Sequence, residues 1–419
     1  MNNNNFYDAI VVGAGPAGST CALYLGKAGI RTLLIDKEIF PRDKICGDAH
    51  SGKTISVYRE LGLIPEFDKV TKAPVRGLTM VAPNNVGVTV PYPNAKDLDC
   101  AGYIIKRLDA DNIVFQAAKR NENITTLENT ICTGLVFDDK NNVKGVKVFN
   151  KNNNQEMTFF SRIVIGADGF TSIVARELKL PTPSKDHTAV AVRGYWANVE
   201  GLSDNIELFF TEDVLPGYLW IFPLDTEKGI ANIGLGMLTK DAQERKVNPI
   251  QLLEKILTKN PLIMHRLKNA KLLGRIGAWN IPNGSFKRKI YGNGWVLVGD
   301  AAHLVDPFSG EGIANAVTSA KFASEVIIKA FSELNNENTP LSESYLKEYS
   351  NMIDKYLRHE LEMSYLIQRI SRIKFLFNMF ITKAATKKEF KQILIDMLAN
   401  EETKKEIKSP LFYLKLLLP

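Results

Sequence analysis

The stretch "YDAIVVGAGPAGSTCALYLGKAGIRTLLIDKE", residues 7–38, reads as a strand, a glycine turn, a helix and a second strand. Gly13, Gly15 and Gly18, with Ala17 among them, make a GxGxxG turn at the end of an apolar run. The first glycine permits the tight turn, the second lets backbone approach a pyrophosphate, and the third lets the helix pack close to the strand. Asp36 closes the next apolar run, "TLLID", 18 residues beyond Gly18, and Lys37 follows it. A carboxylate there accepts hydrogen bonds from an adenosine ribose. Strand, helix and acid all fall where dinucleotide binding needs them, so the spacing predicts a Rossmann-like α/β unit. The turn does not by itself separate NAD from FAD.

Two further segments do. "RIVIGADGFTSIVAREL" (162–178) is an apolar strand broken at Asp168 and Gly169, with a helix opening at Thr171 or Ser172. "GWVLVGDAAHLVDPFSGEGIANAVTSA" (294–320) is a strand ending in Gly299 and Asp300, then a glycine-rich loop feeding a long helix. In this order the three segments resemble the fingerprints of FAD-dependent group A oxidoreductases, with the p-hydroxybenzoate hydroxylase-like fold, over most of residues 1–330. The third segment suits a flavin physically. Asp300 can accept from ribityl hydroxyls, and Pro307, Gly310 and Gly312 let backbone approach the ring. The helix opening at Glu311 or Gly312, with Ile313 in its first turn, points its positive end at the edge where reduced flavin carries negative charge. The resemblance also implies that Arg107, heading "RLDADNIVFQAAKR", contacts the FAD phosphates or ribityl chain. On the residues alone, the alternative for Arg107 is a solvated cation at a helix start.

The chain has 419 residues, 45% of them apolar and 24% charged, which excludes disordered and fibrous classes and leaves room for two or three domains. Cys21, Cys46, Cys100 and Cys132 show no CxxC or Cys/His spacing, so no disulfide framework and no metal site are expected and a reducing cytoplasm fits. The amino terminus shows no basic segment before its short apolar run, so no secretion signal is expected. Net charge is +7, and residues 371–419 carry ten Lys/Arg against five Asp/Glu, a difference of +5. Mixed with "FLFNMF" and "SPLFYLKLLLP", that end reads as a basic amphipathic surface for peripheral membrane contact rather than for nucleic acid, or else as a helical cap packed on the core.

The expected architecture is α/β (α+β): a Rossmann-like FAD-binding domain of residues 1–75, 101–185 and 286–345, with an antiparallel-sheet substrate domain, 76–100 and 186–285, inserted into it. A helical carboxyl-terminal region, 346–419, follows. "AVAVRGYWANV", "NIELFFT", "GYLWIFPLD" and "GIANIGLGM" are the strand candidates. Segments 248–268 and 341–405 read as helical, and the Asn/Lys-rich 138–145 and 150–156 as turns of a hairpin rim.

"FPRDKICGD", residues 40–48, sharpens the resemblance. Pro41, Arg42, Lys44, Cys46 and Gly47 make a PRxKxCG segment; Tyr218, Trp220, Phe222 and Pro223 make a YxWxFP motif, followed by Gly234 and Gly236. Both are similar to segments of the geranylgeranyl reductase family. The resemblance implies reduction of C=C bonds of a polyprenyl lipid by hydride from reduced flavin, with NADPH or a reduced electron-carrier protein as reductant, and places Cys46 and Gly47 beside flavin and substrate. Arg42 is expected at the FAD pyrophosphate.

On a strand Tyr218, Trp220 and Phe222 share one face, forming an apolar slot over the flavin or the sheet's core-facing side. Cys46 is a packed small hydrophobe, a redox thiol, or a pocket thiol whose pKa Arg42 and Lys44 would lower if close. Cys46, His50, His303 and water are all open as proton donors, although His303 reads as structural. Rival functions are an aromatic monooxygenase, a halogenase, and a flavin-free prenyl-binding protein.

Overall fold

The computed structural model describes residues 5–71, 73–92, 102–334 and 339–399. Its first sheet runs Tyr291–Gly292, Trp295–Leu297, Gln155–Gly166, Phe6–Val12, Thr32–Ile35, Ile124–Leu127. The last five of these strands are mutually parallel, and the hairpin Thr130–Phe137/Val143–Asn150 extends Gln155–Gly166 antiparallel. Near-continuous apolar runs such as "AIVV" and "TLLI" are what a sheet covered on both faces requires. Helices Pro16–Lys27, Arg107–Lys119 and Ile313–Glu333 pack against it. The turns at 138–142 and 151–154 close the two hairpins of the rim.

The second sheet has seven strands in the order Lys271–Pro282, Thr188–Ala197, Ile230–Leu238, Tyr218–Asp225, Asn205–Phe209, Gly77–Val81, Gly87–Pro91. Every pairing is antiparallel except Asn205–Phe209 with Gly77–Val81, which is parallel, so the sheet is mixed. Alternation gives it two faces. Leu219, Ile221, Ile233 and Leu235 pack on helix Pro249–Lys259, while Tyr218, Trp220 and Phe222 point the other way, toward the first sheet's loops.

Helix 248–268 is shorter than expected, ending at Lys259 with turns after it. Pro261 supplies the reason, because it lacks an N–H and drives Asn260 out of helical backbone, here to φ −72° and ψ 121°. The edge strand Lys271–Pro282 went unforeseen: its outer half is exposed and Gly274 and Gly277 interrupt the alternation. Ser172 is the N-cap of Ile173–Glu177, its hydroxyl accepting from the Ala175 N–H.

Beyond residue 342 come helices Glu343–Ile353, His359–Ser371, Lys374–Thr386 and Lys388–Ala399, the first two joined by a π turn, Asp354–Arg358. Phe377, Ile381, Ala384, Phe390 and Leu394 pack on Leu78, Met80, Val88 and Val90, as a helical cap would. Ile373 and Phe375, by contrast, are 51% and 66% exposed. The segment "SPLFYLKLLLP", Cys100, and the tail beyond Ala399 lie outside the described residues.

Candidate active site

One cavity of about 2070 Å³ lies between the sheets. Of the residues singled out from the sequence, Gly13, Gly15, Ala17, Asp36, Lys37, Arg42, Cys46, Gly47, Arg107, Asp168, Gly169, Asp300, Pro307, Gly310, Gly312, Ile313, Tyr218, Trp220 and Phe222 all line it. Gly18 and Gly299 stand behind the wall. A Cβ on Gly18 would meet Gly13 O at 1.7 Å, and one on Gly299 would stand 3.2 Å from Ala17 Cβ.

The first wall is mostly backbone. Gly13 has φ +96°, and Asp36 ties the turn down, its carboxylate accepting from Ala14 N at 2.6 Å and Glu38 N at 2.9 Å. Arg42 Nη1 donates to Asp111 at 2.6 Å, and its Nη2 stands 3.5 Å from where a Gly15 side chain would begin. Asp168 accepts from Ile173 N at 2.7 Å at the foot of a short helix. Asp300 faces the cavity, burial raising its pKa against the pull of Lys44 and Arg107. Asp306 holds the glycine-rich loop by accepting from the N–H groups of Phe308 and Ser309. Tyr218 donates to Ser309 O and Gln368 to Pro307 O, so the loop is gripped by the second sheet and by a carboxyl-terminal helix.

These walls suit a flat, anionic dinucleotide. A Cβ at Gly310 would lie 3.1 Å from the Tyr218 hydroxyl, one at Gly312 would lie 3.6 Å from Asp300 Oδ1, and one at Gly47 would lie 2.8 Å from Phe222. Side chains at these points would fill the narrow part of the cavity.

The second wall is made of side chains, and it fixes the cysteine loop. Arg193 donates to the Asp43 carboxylate and to Lys44 O, and Tyr195 donates to Asp48 Oδ2 at 2.8 Å. Asn232 donates to Cys46 O at 2.7 Å and to Asp48 Oδ2 at 2.8 Å, and accepts from Trp220 Nε1 at 2.9 Å. Trp220 lies over Gly234, where a Cβ would meet its ring and the Val192 carbonyl oxygen at 2.3 Å, which accounts for the first glycine of the Gly-x-Gly strand. Asp48 itself has φ +67°, and burial raises its pKa to about 6.

The lowering of the Cys46 pKa that Arg42 and Lys44 would give if close does not occur. Burial raises it, and the cation beside the thiol is Arg107 rather than Arg42 or Lys44. Arg42 is drawn off by Asp111, and Lys44 Nζ sits over the Trp279 ring, 2.9 Å from its centroid. Burial brings Lys44 down to about pH 7, opposed by Asp300. Nor is Arg107 a solvated cation: it is 7% exposed and chelates Asp111 through two bonds of 2.6 and 2.7 Å.

Both histidines lose their candidacy as acids. Burial lowers His50 to about 4, with Nδ1 against Asp48 O. His303 is off the cavity, its Nε2 accepting from Arg288, and is lowered to about 3 by burial and that guanidinium.

Sequence reasoning missed Arg193, Tyr195, Asn232, Asp48 and Asp111. The available signal was a polar side chain on an otherwise apolar strand, as Asn232 is in "GIANIGLGM". Away from the cofactor loops the cavity turns apolar, with Leu78, Met80, Leu208, Phe377, Phe380 and Leu394 among its lining. Among the described residues no group of three His, Cys, Asp or Glu side chains could hold a metal ion.

Residues 7–350 match the FAD binding domain family. The digeranylgeranylglycerophospholipid reductase of Methanocaldococcus jannaschii is 31% identical over 375 residues, 88% of this chain and 88% of that protein. A geranylgeranyl bacteriochlorophyll reductase-like protein of Thermoplasma acidophilum superposes with TM-score 0.81 at 23% identity, over 96% of this chain and 99% of that one. A flavin-dependent brominase shares the fold, with TM-score 0.76 at 20% identity over 94% of this chain and 93% of its own.

Proposed function

The chain belongs to the geranylgeranyl reductase family of FAD-dependent oxidoreductases, and from that premise we propose that it saturates C=C bonds in the polyprenyl chain of a lipid. The carrying observation is that a glycine-lined dinucleotide cradle and an apolar, aromatic-walled channel are parts of one cavity. An apolar channel of that kind matches a prenyl chain, which has no polar group to pair.

In this reading Asp36 and Lys37 hold the adenosine end and Gly13, Gly15, Ala17 and Arg42 the pyrophosphate, with Gly18 behind them letting the helix pack close to the turn. Arg107, Asp168, Gly169 and Asp300 hold the ribityl region, with Gly299 packed behind Asp300, and Gly47, Pro307, Gly310, Gly312 and Ile313 hold the ring. Reduced FAD supplies hydride when bound. Trp220 and Phe222 orient the alkene and exclude water, and their faces favour cationic character developing on carbon. Cys46 keeps its proton because burial raises its pKa, so the thiol is available as the acid that completes the addition. Arg107 beside it then faces a thiolate, a charge the guanidinium stabilises. The reductant in this reading is NADPH or a reduced carrier protein. Ile373 and Phe375, exposed beside Arg372 and Lys374, support peripheral contact with a membrane holding the lipid. Among the described residues no helix is long and apolar enough to cross one.

The test is anaerobic photoreduction of the FAD-loaded protein with geranylgeranyl lipids, followed by mass analysis. Gains of two hydrogens per double bond support the reading, with Cys46→Ala slowing turnover while retaining FAD. Unchanged lipids, with oxygen consumed in a hydroxylation or halogenation assay instead, would replace it with the oxygenase reading.

A further inference from the structure

Asn232 is a polar residue with 0% exposure, on a strand whose neighbours Ala231, Ile233 and Leu235 are equally buried. A buried amide costs free energy unless it is paired, and here both donors and the acceptor are used. The orientation follows from the partners. The Trp220 indole can only donate, so it meets Oδ1; the Cys46 carbonyl and the Asp48 carboxylate accept, so they meet Nδ2.

Cross-strand register explains why one residue reaches all three. Tyr195, Asn232 and Phe222 form one row across three strands, and Arg193, Gly234 and Trp220 the next. Gly277 extends the second row, and a Cβ there would meet Ile45 Cδ1 at 2.2 Å, so the cysteine loop lies directly on the sheet at that point. Between loop and sheet, the Asn232 side chain hydrogen-bonds both the Cys46 carbonyl and the Trp220 indole N–H.

We propose that Asn232 is a positioning residue that locks the thiol-bearing loop to the aromatic wall, setting the separation between Cys46 and Trp220 across which the substrate's double bond is held. This rests on the reductase reading for its substrate but not for its geometry.

The experiment uses the FAD-loaded protein with Asn232→Leu and Asn232→Asp. Iodoacetamide alkylation of Cys46, followed by peptide mass, reads the loop directly and needs no prenyl substrate; in both variants it should quicken roughly tenfold, as expected for easier local opening. With a geranylgeranyl lipid, kcat in Asn232→Leu should fall about 100-fold with KM little changed, the scale of a misplacement near 1 Å. Asn232→Asp puts a second carboxylate against Asp48. Two such groups share a proton, so its kcat should recover toward acid pH as the protonated carboxyl regains a donor.

Unchanged alkylation and unchanged kcat in either variant that folds, with only a lowered thermal midpoint, would overturn the proposal. If Asn232→Leu does not fold, the acid recovery of Asn232→Asp decides, and a flat pH profile counts against the role. A parent protein that leaves prenyl lipids intact sinks the reductase reading while the alkylation result still judges Asn232.

Discussion

The two walls of the cavity meet the same space with different materials. Toward the first sheet the wall is backbone: Gly13, Gly15, Gly310 and Gly312 present peptide groups, and carboxylates such as Asp36 and Asp306 mostly hold the loops in shape. Toward the second sheet it is side chain: Tyr218, Trp220 and Phe222 make the surface, and behind them Tyr195, Arg193 and Asn232 grip the cysteine loop. A backbone wall depends on residues having no side chain, so an added one takes up the space meant for the cofactor or, at Gly13, strikes backbone. A side-chain wall depends on cross-strand partners, so it fails by losing hydrogen bonds and shape while the cofactor side survives.

The sharpest way to break this comparison is Gly18→Ala. The new methyl would sit 1.7 Å from Gly13 O, backbone that cannot yield, and overpacking there costs about 3 kcal/mol or more. The variant is expected colourless after gel filtration, by flavin absorbance; a fully yellow variant would mean that the turn moves freely.

Asp48→Asn probes the second wall through pH. The folded pKa of Asp48 is raised from 3.8 to about 6, so the native state binds more protons than the unfolded chain across that interval and stability falls as pH rises through it. Over two units that is about 3 kcal/mol at most. His50, lowered from 6.5 to about 4, works in the opposite sense over nearly the same window, so the difference between variant and parent carries the test. Urea denaturation should show the variant gaining on the parent from about pH 4 to pH 7. A constant difference would mean that Asp48 is ionised alike in both states.

Gly234→Ala asks the same question of the second wall that Gly18→Ala asks of the first. Its methyl would meet the Trp220 ring and the Val192 carbonyl oxygen, each at 2.3 Å, a ring that can tilt and a backbone group that cannot, so about 2 to 3 kcal/mol is expected. Flavin occupancy should match the parent, while the distribution of partly saturated lipid products shifts. Lost flavin would show that the walls are not independent.

The smallest effect is expected at the rim. Ile373→Ser with Phe375→Ser removes two exposed apolar side chains, and flotation with anionic vesicles should show binding weakened by about 2 kcal/mol or less, with flavin retained. Equal flotation would leave these residues without a membrane role.

How far each wall could be read in advance follows from its chemistry. The first wall's turns are local: Gly13 to Gly18 and Asp300 to Gly312 are short segments in which glycine spacing and strand ends report backbone shape directly. The shared face of Tyr218, Trp220 and Phe222 was legible for the same reason, since period 2 is a property of one strand. Which way that face looked was not, because it depends on helix Pro249–Lys259 covering the opposite side. The Cys46 environment was misjudged from sequence neighbours. Arg42 and Lys44 are adjacent in the chain, yet Asp111 takes one and Trp279 the other, and Arg107 arrives from 61 residues away.

The amino-acid sequence by itself determined what is built within a dozen residues: the glycine turns, the acids at strand ends, the alternating aromatic strand and the family motifs. Only the tertiary structure decided what depends on partners 147 to 186 positions apart, the bonds of Asp48, Cys46 O, Tyr195 and Asn232. The physical reason is that a positive φ or a period of two is a property of the local chain. A thiol's protonation and a loop's position are set by whichever charges, rings and amides folding brings against them.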